Sequence, residues 1–301
     1  MYGIGETVLD IIVSKDVVAA NPGGSTFNSM ISLGRCGAPA VFLTEVGDDL
    51  AGRFVTRFMA DNGVDAGYVS YLEVKTPIAM AFLDSRNDAQ YMFYRDNPAS
   101  RPPLRLPEIN PGDLVLFGSF YALNPDVRPQ VREFLQYARS NGAIIYYDIN
   151  FRPSHLKDLP RCGDALMENI NIADIVRGSH EDFRTIFNLE DVDAVFEGPL
   201  KGHCDRLIFT CGAQPLKVRA GGLALEYDVK KIPTVSTVGA GDNFNAGFLF
   251  GILKEGITRK QIQDGLSGAQ WSRLVKSAQA FSAACCQSRE NYVPKGFDYL
   301  Q

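Results

Sequence analysis

The residues best suited to chemistry lie together at Ser236–Thr237–Val238–Gly239–Ala240–Gly241–Asp242–Asn243–Phe244–Asn245–Ala246–Gly247. Small residues and a Gly-Ala-Gly turn precede an acid. An apolar run with helical spacing follows at Phe244, Phe248, Leu249, Ile252 and Leu253. Such a turn opening a helix points several backbone N–H groups at one spot, and the positive end of the helix dipole adds to them. The spot suits a phosphate. Asp242 would stand beside it, where a hydroxyl proton must be removed. The chemistry that fits is transfer of a γ-phosphoryl group from ATP to a small alcohol, the charge of a loose transition state falling on donors already aimed at it. An ordinary Asp, with a pKa of about 3.9, is a weak base at neutral pH. It suffices if the hydroxyl is held within hydrogen-bond reach. The plainer alternative is that Asp242 only complements the helix dipole, worth under about 1 kcal/mol. The sequence has no Gly-x-x-x-x-Gly-Lys-[Ser/Thr] phosphate loop. Gly3-x-Gly5 lacks the remaining spacing of a dinucleotide fingerprint.

A turn and an acid need a scaffold that brings an alcohol and a nucleotide to them. Residues 1–13 read as a strand with Asp10 embedded in it, either a strand-end acid facing solvent or a ligand contact. Residues 21–28 carry Pro22, Gly23 and Gly24 and read as a loop. There the backbone could be approached closely, or the loop could merely cap the helix expected over 26–35. A strand over 40–46 and a helix over 50–62 continue an alternation that suggests a parallel sheet covered by helices. Residues 68–96 break the rhythm. Short strands at 69–72, 78–83 and 90–94, with a polar turn at Ser85–Arg86–Asn87–Asp88, suggest a small antiparallel sheet serving as a lid or a dimer surface. It ends in Phe93–Tyr94–Arg95–Asp96, where Arg95 is either a solvated charge or a ligand contact.

The alternation then resumes with strands at 114–118 and 144–149 and a helix between them. The second strand ends in Asp148–Ile149–Asn150–Phe151–Arg152. Polar residues at the C-terminal end of a buried parallel strand sit where α/β sheets bind ligands, although they could equally cap the next helix. A helix at 163–171 and a strand at 175–177 lead to Ser179–His180–Glu181–Asp182, which opens another helix. Its acid is either an N-cap partner or an organiser of waters around Mg2+. A strand at 207–210 ends in Thr210–Cys211–Gly212, and a hairpin through Gly221–Gly222 follows. The helix of the opening motif runs to about residue 254. Gly247 and Gly251 would let it lie close on the sheet. Two further helices, 259–265 and 271–286, complete the chain.

Composition excludes several classes. The 301 residues are 46% hydrophobic with a formal net charge of −5, which gives ample core and argues against a nucleic acid or an anionic membrane as the main partner. Six cysteines without a Cys-x-x-Cys pair, and three dispersed histidines, argue against a zinc site or a disulfide framework. No signal-peptide pattern or bilayer-length apolar run is present, so a cytoplasmic location is expected.

The segment 236–247 resembles the C-terminal signature of the ribokinase-like (PfkB) carbohydrate kinases. Gly23–Gly24 with Asn28 resembles their N-terminal signature. The order of Asp10, the glycine pair, the β lid, Asp148-x-Asn150-x-Arg152, Thr210-x-Gly212 and Gly239–Asp242 matches along essentially the whole chain. The resemblance implies an α/β fold: one domain over 1–301, a three-layer sandwich around a central mostly parallel sheet, with a β lid from about 8–20 and 68–96. It implies an ATP- and Mg2+-dependent sugar kinase. Asp242 would be the catalytic base, and Gly239, Ala240 and Gly241 the anion hole. Asp10, Gly23, Gly24 and Asn28 would contact sugar hydroxyls, with Arg95 closing from the lid and Arg152 nearby. Thr210, Gly212 and Gln279 would line the nucleotide site, and Asp182 would replace the Glu that relatives link to Mg2+. Relatives usually carry Asp where Ser236 stands, an acid that helps hold a monovalent cation, so potassium activation does not carry over. The tail Ser288–Arg289–Glu290–Asn291 departs from the usual Gly turn. Phe93–Tyr94–Arg95 and Asp148-x-Asn150-x-Arg152 resemble fructokinases and 2-keto-3-deoxygluconate kinases more than adenosine kinases, with fructose favoured. Other readings are a non-catalytic sugar-binding protein on the same fold and a nicotinamide-dependent enzyme. The lid strands could pair across a homodimer.

Overall fold

The computed structural model describes residues 1–13, 18–83 and 89–299. The chain forms β1 (Tyr2–Ile4), β2 (Val8–Val13), β3 (Val18–Gly23), α1 (Ser25–Arg35), β4 (Ala40–Gly47), α2 (Leu50–Asp61), β5 (Val64–Asp65), β6 (Val69–Leu72), β7 (Ile78–Leu83) and β8 (Ala89–Tyr94). It continues with β9 (Leu114–Gly118), α3 (Arg128–Ser140), β10 (Ile144–Asp148), α4 (Leu159–Ile172), β11 (Ile175–Ser179), α5 (His180–Phe187) and α6 (Val192–Glu197). The last elements are β12 (Arg206–Cys211), β13 (Gln214–Ala220), β14 (Leu223–Tyr227), α7 (Ala240–Glu255), α8 (Arg259–Asp264) and α9 (Gly268–Cys286).

Ten strands make the central sheet, in the order β14-β13-β12-β11-β10-β9-β1-β4-β5, with β6 also beside β4. From β12 to β5 the pairs are parallel, and β13 runs antiparallel to both of its neighbours, β12 and β14. The strands are apolar on both faces because helices cover both. Alternate residues go to opposite sides. Leu114, Leu116, Ile144 and Tyr146 join the core of Phe27, Met59, Phe248 and Trp271. Val115, Phe117, Ile145 and Tyr147 join Phe134, Leu166 and Phe183. This is the expected three-layer sandwich. The chain order reverses between β1 and β9, the place where open α/β sheets form a ligand crevice beyond their C-terminal ends.

Three expectations need correction. The first apolar stretch is two strands, broken at Gly5–Thr7: β1 lies in the central sheet and β2 in the lid. Residues 21–23 of the expected loop are strand, because β3 pairs antiparallel with β2. The strand at Val69–Leu72 belongs to the central sheet, running parallel to β4 with Leu72 buried. The lid is therefore the four-stranded sheet β3-β2-β7-β8, and it is mixed, since β2 and β7 are parallel. The polar turn expected at Ser85–Asp88 lies outside the described residues.

α7 is held mainly by another helix. A Cβ on Gly247 would come 2.5 Å from the Ser277 carbonyl of α9. The Ser277 hydroxyl donates to the Gly247 carbonyl at 2.7 Å. The glycine thus admits α9 rather than the sheet, and the packing fixes where the N-terminus of α7 points.

Candidate functional site

Gly239 precedes α7 with φ +80°, a left-handed conformation. A Cβ there would come 2.6 Å from the Asn291 carbonyl, so conformation and space both require glycine. Asn243 locks the turn by donating to the carbonyls of Gly239 (2.8 Å) and Asn291 (2.9 Å). The Ala240 N–H donates to the Thr237 carbonyl at 3.2 Å, and the first helical bond runs from Asn243 to Gly239. Of the expected Gly239–Ala240–Gly241 set, Ala240 is thus engaged. Gly241 and Asp242 are the first-turn N–H groups that have no acceptor within the helix.

The start of α1 converges on the same point. Asn28 Nδ2 donates to Asp242 Oδ2 at 2.8 Å, and the Ser29 hydroxyl donates to the Asp242 carbonyl at 2.7 Å. Asn28 Oδ1 is buried without a partner among the described residues. Burial pushes the Asp242 carboxyl up to about 6, and the charge of Asp148 adds to the rise. Hydrogen bonds from Asn28 and Ser25 and the charge of Arg152 work against it. Asp10, on β2, is also pushed up to about 6 by burial. A Cβ on Gly23 would come 2.1 Å from Asp10 Oδ2, so the glycine leaves room for that carboxylate. Gly24 precedes α1 at φ +133°, where a Cβ would meet the Glu6 carbonyl at 2.3 Å. Glu6 in turn pairs with Arg95 at the end of β8, joining the lid to the sheet. The Tyr292 hydroxyl donates to the Pro22 carbonyl. Residues 290–293 of the tail therefore touch both the lid base and the α7 turn.

Beneath α7, three neighbouring strands present polar residues on one face. Asp148 ends β10, Arg177 lies on β11 and Thr210 on β12. Arg177 donates to Asp148 Oδ1 at 2.9 Å and to the Thr210 hydroxyl at 2.8 Å. Asn245 of α7 donates to Asp148 Oδ2 at 2.8 Å and accepts from the Tyr146 hydroxyl at 3.0 Å. Sequence reasoning passed over Arg177. The available signal was a cation inside the apolar run Ile175–Val176–Arg177–Gly178. Ser119 (φ 54°) and Asn150 (φ 39°), just beyond β9 and β10, hold left-handed backbones that ordinary residues adopt at a cost of about 1 kcal/mol or more.

The other expected residues fall into place unevenly. Thr210 offers its oxygen to Arg177, and Gly212 (φ +60°) faces open space. Gln279, on α9, donates to the Asp228 carbonyl at 2.8 Å and touches none of the residues above. Arg152 is exposed and reaches Asp242 only through its charge. Asp182 does not fit the metal role. Its Oδ1 accepts from the Phe151 N–H at 2.7 Å, and its Oδ2 accepts from the Ser179 N–H at 2.6 Å and hydroxyl at 2.7 Å. It is the buried half of the α5 capping box. Among the described residues no group of three or more His, Cys, Asp or Glu is placed to hold a metal ion. Ser236 Oγ accepts from the Val238 N–H at 3.1 Å, closing a local turn.

At the base of the lid, beyond the C-terminal ends of β1, β4 and β9, lies a cavity of about 80 Å³. Its polar lining includes Glu6, Glu45, Arg95, Arg101 and Tyr121. Both arginines are paired within it, Arg95 with Glu6 and Arg101 with Glu45 at 3.0 Å. Neither Asp242 nor Asp10 lines this cavity.

Comparison with known proteins gives a consistent picture. The pattern described as "pfkB family carbohydrate kinase" matches residues 8–295. A fructokinase of Rhizobium leguminosarum bv. trifolii is 27% identical over 267 residues, covering 86% of this chain and 81% of that protein. A 5-dehydro-2-deoxygluconokinase of Geobacillus kaustophilus is 25% identical, covering 87% and 81%. The crystal structure of fructokinase with bound ATP from Xylella fastidiosa superposes with a TM-score of 0.82 at 21% identity, covering 97% of this chain and 93% of that one. No helix among the described residues is long and apolar enough to cross a membrane.

Proposed function

The chain belongs to the pfkB family of carbohydrate kinases, and from that premise we propose that it transfers the γ-phosphoryl group of ATP to a hydroxyl of a neutral sugar, fructose first. One observation carries the reading: a carboxylate pushed up to about 6 stands at a helix N-terminus where the Gly241 and Asp242 N–H groups have no acceptor within the helix. A base is most effective when its pKa approaches the working pH, and burial has moved Asp242 that way without protonating it at neutral pH. Asp242 takes the hydroxyl proton as the new P–O bond forms and the bond from the γ-phosphorus to the β–γ bridging oxygen breaks, with ADP leaving. The N–H groups of Gly241 and Asp242, with the α7 dipole, meet the charge on the peripheral oxygens. Asp10, Gly23, Gly24 and Asn28 hold the sugar, with Arg95 and Glu6 as the closing edge. Gly212 lies on the nucleotide side. Among the described residues no cluster of His, Cys, Asp or Glu is placed to hold the Mg2+ expected with ATP, which would be held by the nucleotide's phosphates and water.

The choice of a neutral sugar rests on charge. An acid sugar needs a cation free to meet its carboxylate. Arg95 and Arg101, the two arginines in the lid-base cavity, already face Glu6 and Glu45. Displacing either glutamate would leave a carboxylate unpaired in a confined site, a penalty that a neutral hydroxylated ligand avoids. The test is a panel of fructose, other ketoses and keto-deoxy acid sugars in an ADP-release assay with ATP and Mg2+. Turnover led by fructose is expected. Preference for the acid sugars would overturn the charge argument. Calorimetric sugar binding with no turnover on any member would favour a non-catalytic binding protein.

A further inference from the structure

The structure assigns Arg177 a part in phosphoryl transfer, as a positioning residue beneath the anion-binding turn. This rests on the kinase reading above. Arg177 is 8% exposed, and its guanidinium lies directly under the first turn of α7. A Cβ on Gly241 would come 3.0 Å from one terminal nitrogen and 3.1 Å from the other. A buried cation below the positive end of a helix is electrostatically misplaced on its own. Asp148 holds it at 2.9 Å, Thr210 accepts from it at 2.8 Å, and Asp182 adds a second negative charge nearby. Burial acts against its charge, yet these carboxylates outweigh burial and keep it firmly protonated. Its Nε is buried with no partner among the described residues.

The arrangement becomes favourable when an anion lies above the turn. The guanidinium and the open N–H groups of Gly241 and Asp242 then act on the same phosphoryl oxygens, the N–H groups by contact and Arg177 through the turn it supports. A fixed, water-excluded cation beside a transferring phosphoryl group needs no reorganisation as charge shifts. Arg177 also ties the turn to the sheet, because Asp148 is bound to Arg177 on one oxygen and to Asn245 of α7 on the other.

The test separates this from plain neutralisation of Asp148. Arg177→Met leaves Asp148 buried and unpaired and could unfold the chain. The informative variant is therefore the double substitution Arg177→Met/Asp148→Asn, which removes both charges at similar volume. With Tm confirming the fold, kcat is expected to fall about 100-fold with the sugar KM within about threefold, in line with the loss of a preorganised electrostatic group. Arg177→Lys, which keeps the charge but not the fork, is expected to recover at least tenfold of that loss. A double variant with kcat within threefold of the parent would overturn the assignment and leave Arg177 as a partner for Asp148 alone. A second readout does not depend on the sugar. Calorimetric titration should show ATP weakened about tenfold in the double variant and ADP within twofold, because the γ-phosphoryl group is the part that feels the cation. Equal weakening of the two nucleotides, or none, would also overturn it. If the parent turns over no sugar at all, the kinase reading fails by that result, and the ATP-to-ADP comparison still decides the role of Arg177.

Discussion

Replacing Asn28 by alanine tests whether Asp242 is tuned by its neighbours. The substitution removes the donor that faces Asp242 Oδ2 at 2.8 Å. A hydrogen bond to a charged group contributes about 1.5–3 kcal/mol, and one pKa unit is about 1.36 kcal/mol. Water entering the vacated space replaces part of that, so a rise of about one unit is expected. The Asp242 carboxyl, already near 6, would move to about 7. Its ionised fraction would fall from about one-half to about one-tenth at pH 6, and from about nine-tenths to about one-half at pH 7. The sign follows from the role: a base works when ionised, so the acid limb of the rate profile must move to higher pH. The assay is kcat/KM for sugar between pH 5 and 9, which reports the free enzyme. The position of the limb gives the pKa, and the height of the plateau gives sugar binding. Asp10, also near 6, is untouched, so one steep limb should separate into two steps. A limb that stays near pH 6, or moves down, refutes the tuning argument. A uniform loss at every pH would mean that Asn28 holds sugar and does not tune Asp242.

Asp242→Asn should lower kcat by about 100- to 10,000-fold, the usual range for a lost general base, and should also stabilise the protein. A carboxyl whose folded pKa is raised from 3.8 to about 6 stabilises the fold fully below the unfolded value and loses that contribution as pH rises through 6. The asparagine variant should therefore have the higher Tm at pH 7.5, by at most about 3 kcal/mol because Asp242 is only partly buried, with the gain gone near pH 4. An unchanged Tm difference across that range would contradict the burial account. Gly23→Ala would place a methyl 2.1 Å from Asp10 Oδ2. It should raise the sugar KM about tenfold or more, while the ATP KM stays within about twofold and stability falls by about 1–3 kcal/mol. An equal rise in both KM values would move Asp10 out of the sugar site.

The parts of the site were legible where local chemistry demands a residue type. A left-handed helix start that must also clear the Asn291 carbonyl admits only glycine, so the Gly239–Asp242 turn stood out before its surroundings were known. Gly24 likewise combines a positive φ with a close carbonyl, whereas Gly23 is required only by the Asp10 carboxylate beside it. The pairings were not legible, because tertiary closure makes them. Asn28 meets Asp242 across 214 positions, and the Tyr292 hydroxyl reaches Pro22 across 270. At Asp182 a capping box and a metal ligand draw on the same residue types near a helix start. Only the partners of its two oxygens distinguish them. Strand β6 misled because a short strand after a helix carries no mark of which sheet it joins. Its place beside β4 is set by long-range register.

The two raised carboxyls, Asp10 and Asp242, express one physical conflict. Each is pushed up chiefly by burial, so each is a group the fold would hold more comfortably if it were neutral. At neutral pH both remain mostly charged. Their strain is relieved where hydroxyl donors reach them, and a polyol brings such donors in a fixed geometry. The same burial that makes Asp242 a stronger base thus favours binding of a ligand rich in hydroxyls. A neutral sugar satisfies both acids without adding another carboxylate near them, whereas an acid sugar would add one while Arg95 of the lid is already paired with Glu6. The preference for a neutral substrate therefore follows from the charges the fold has already committed and from the two it has left exposed to a donor.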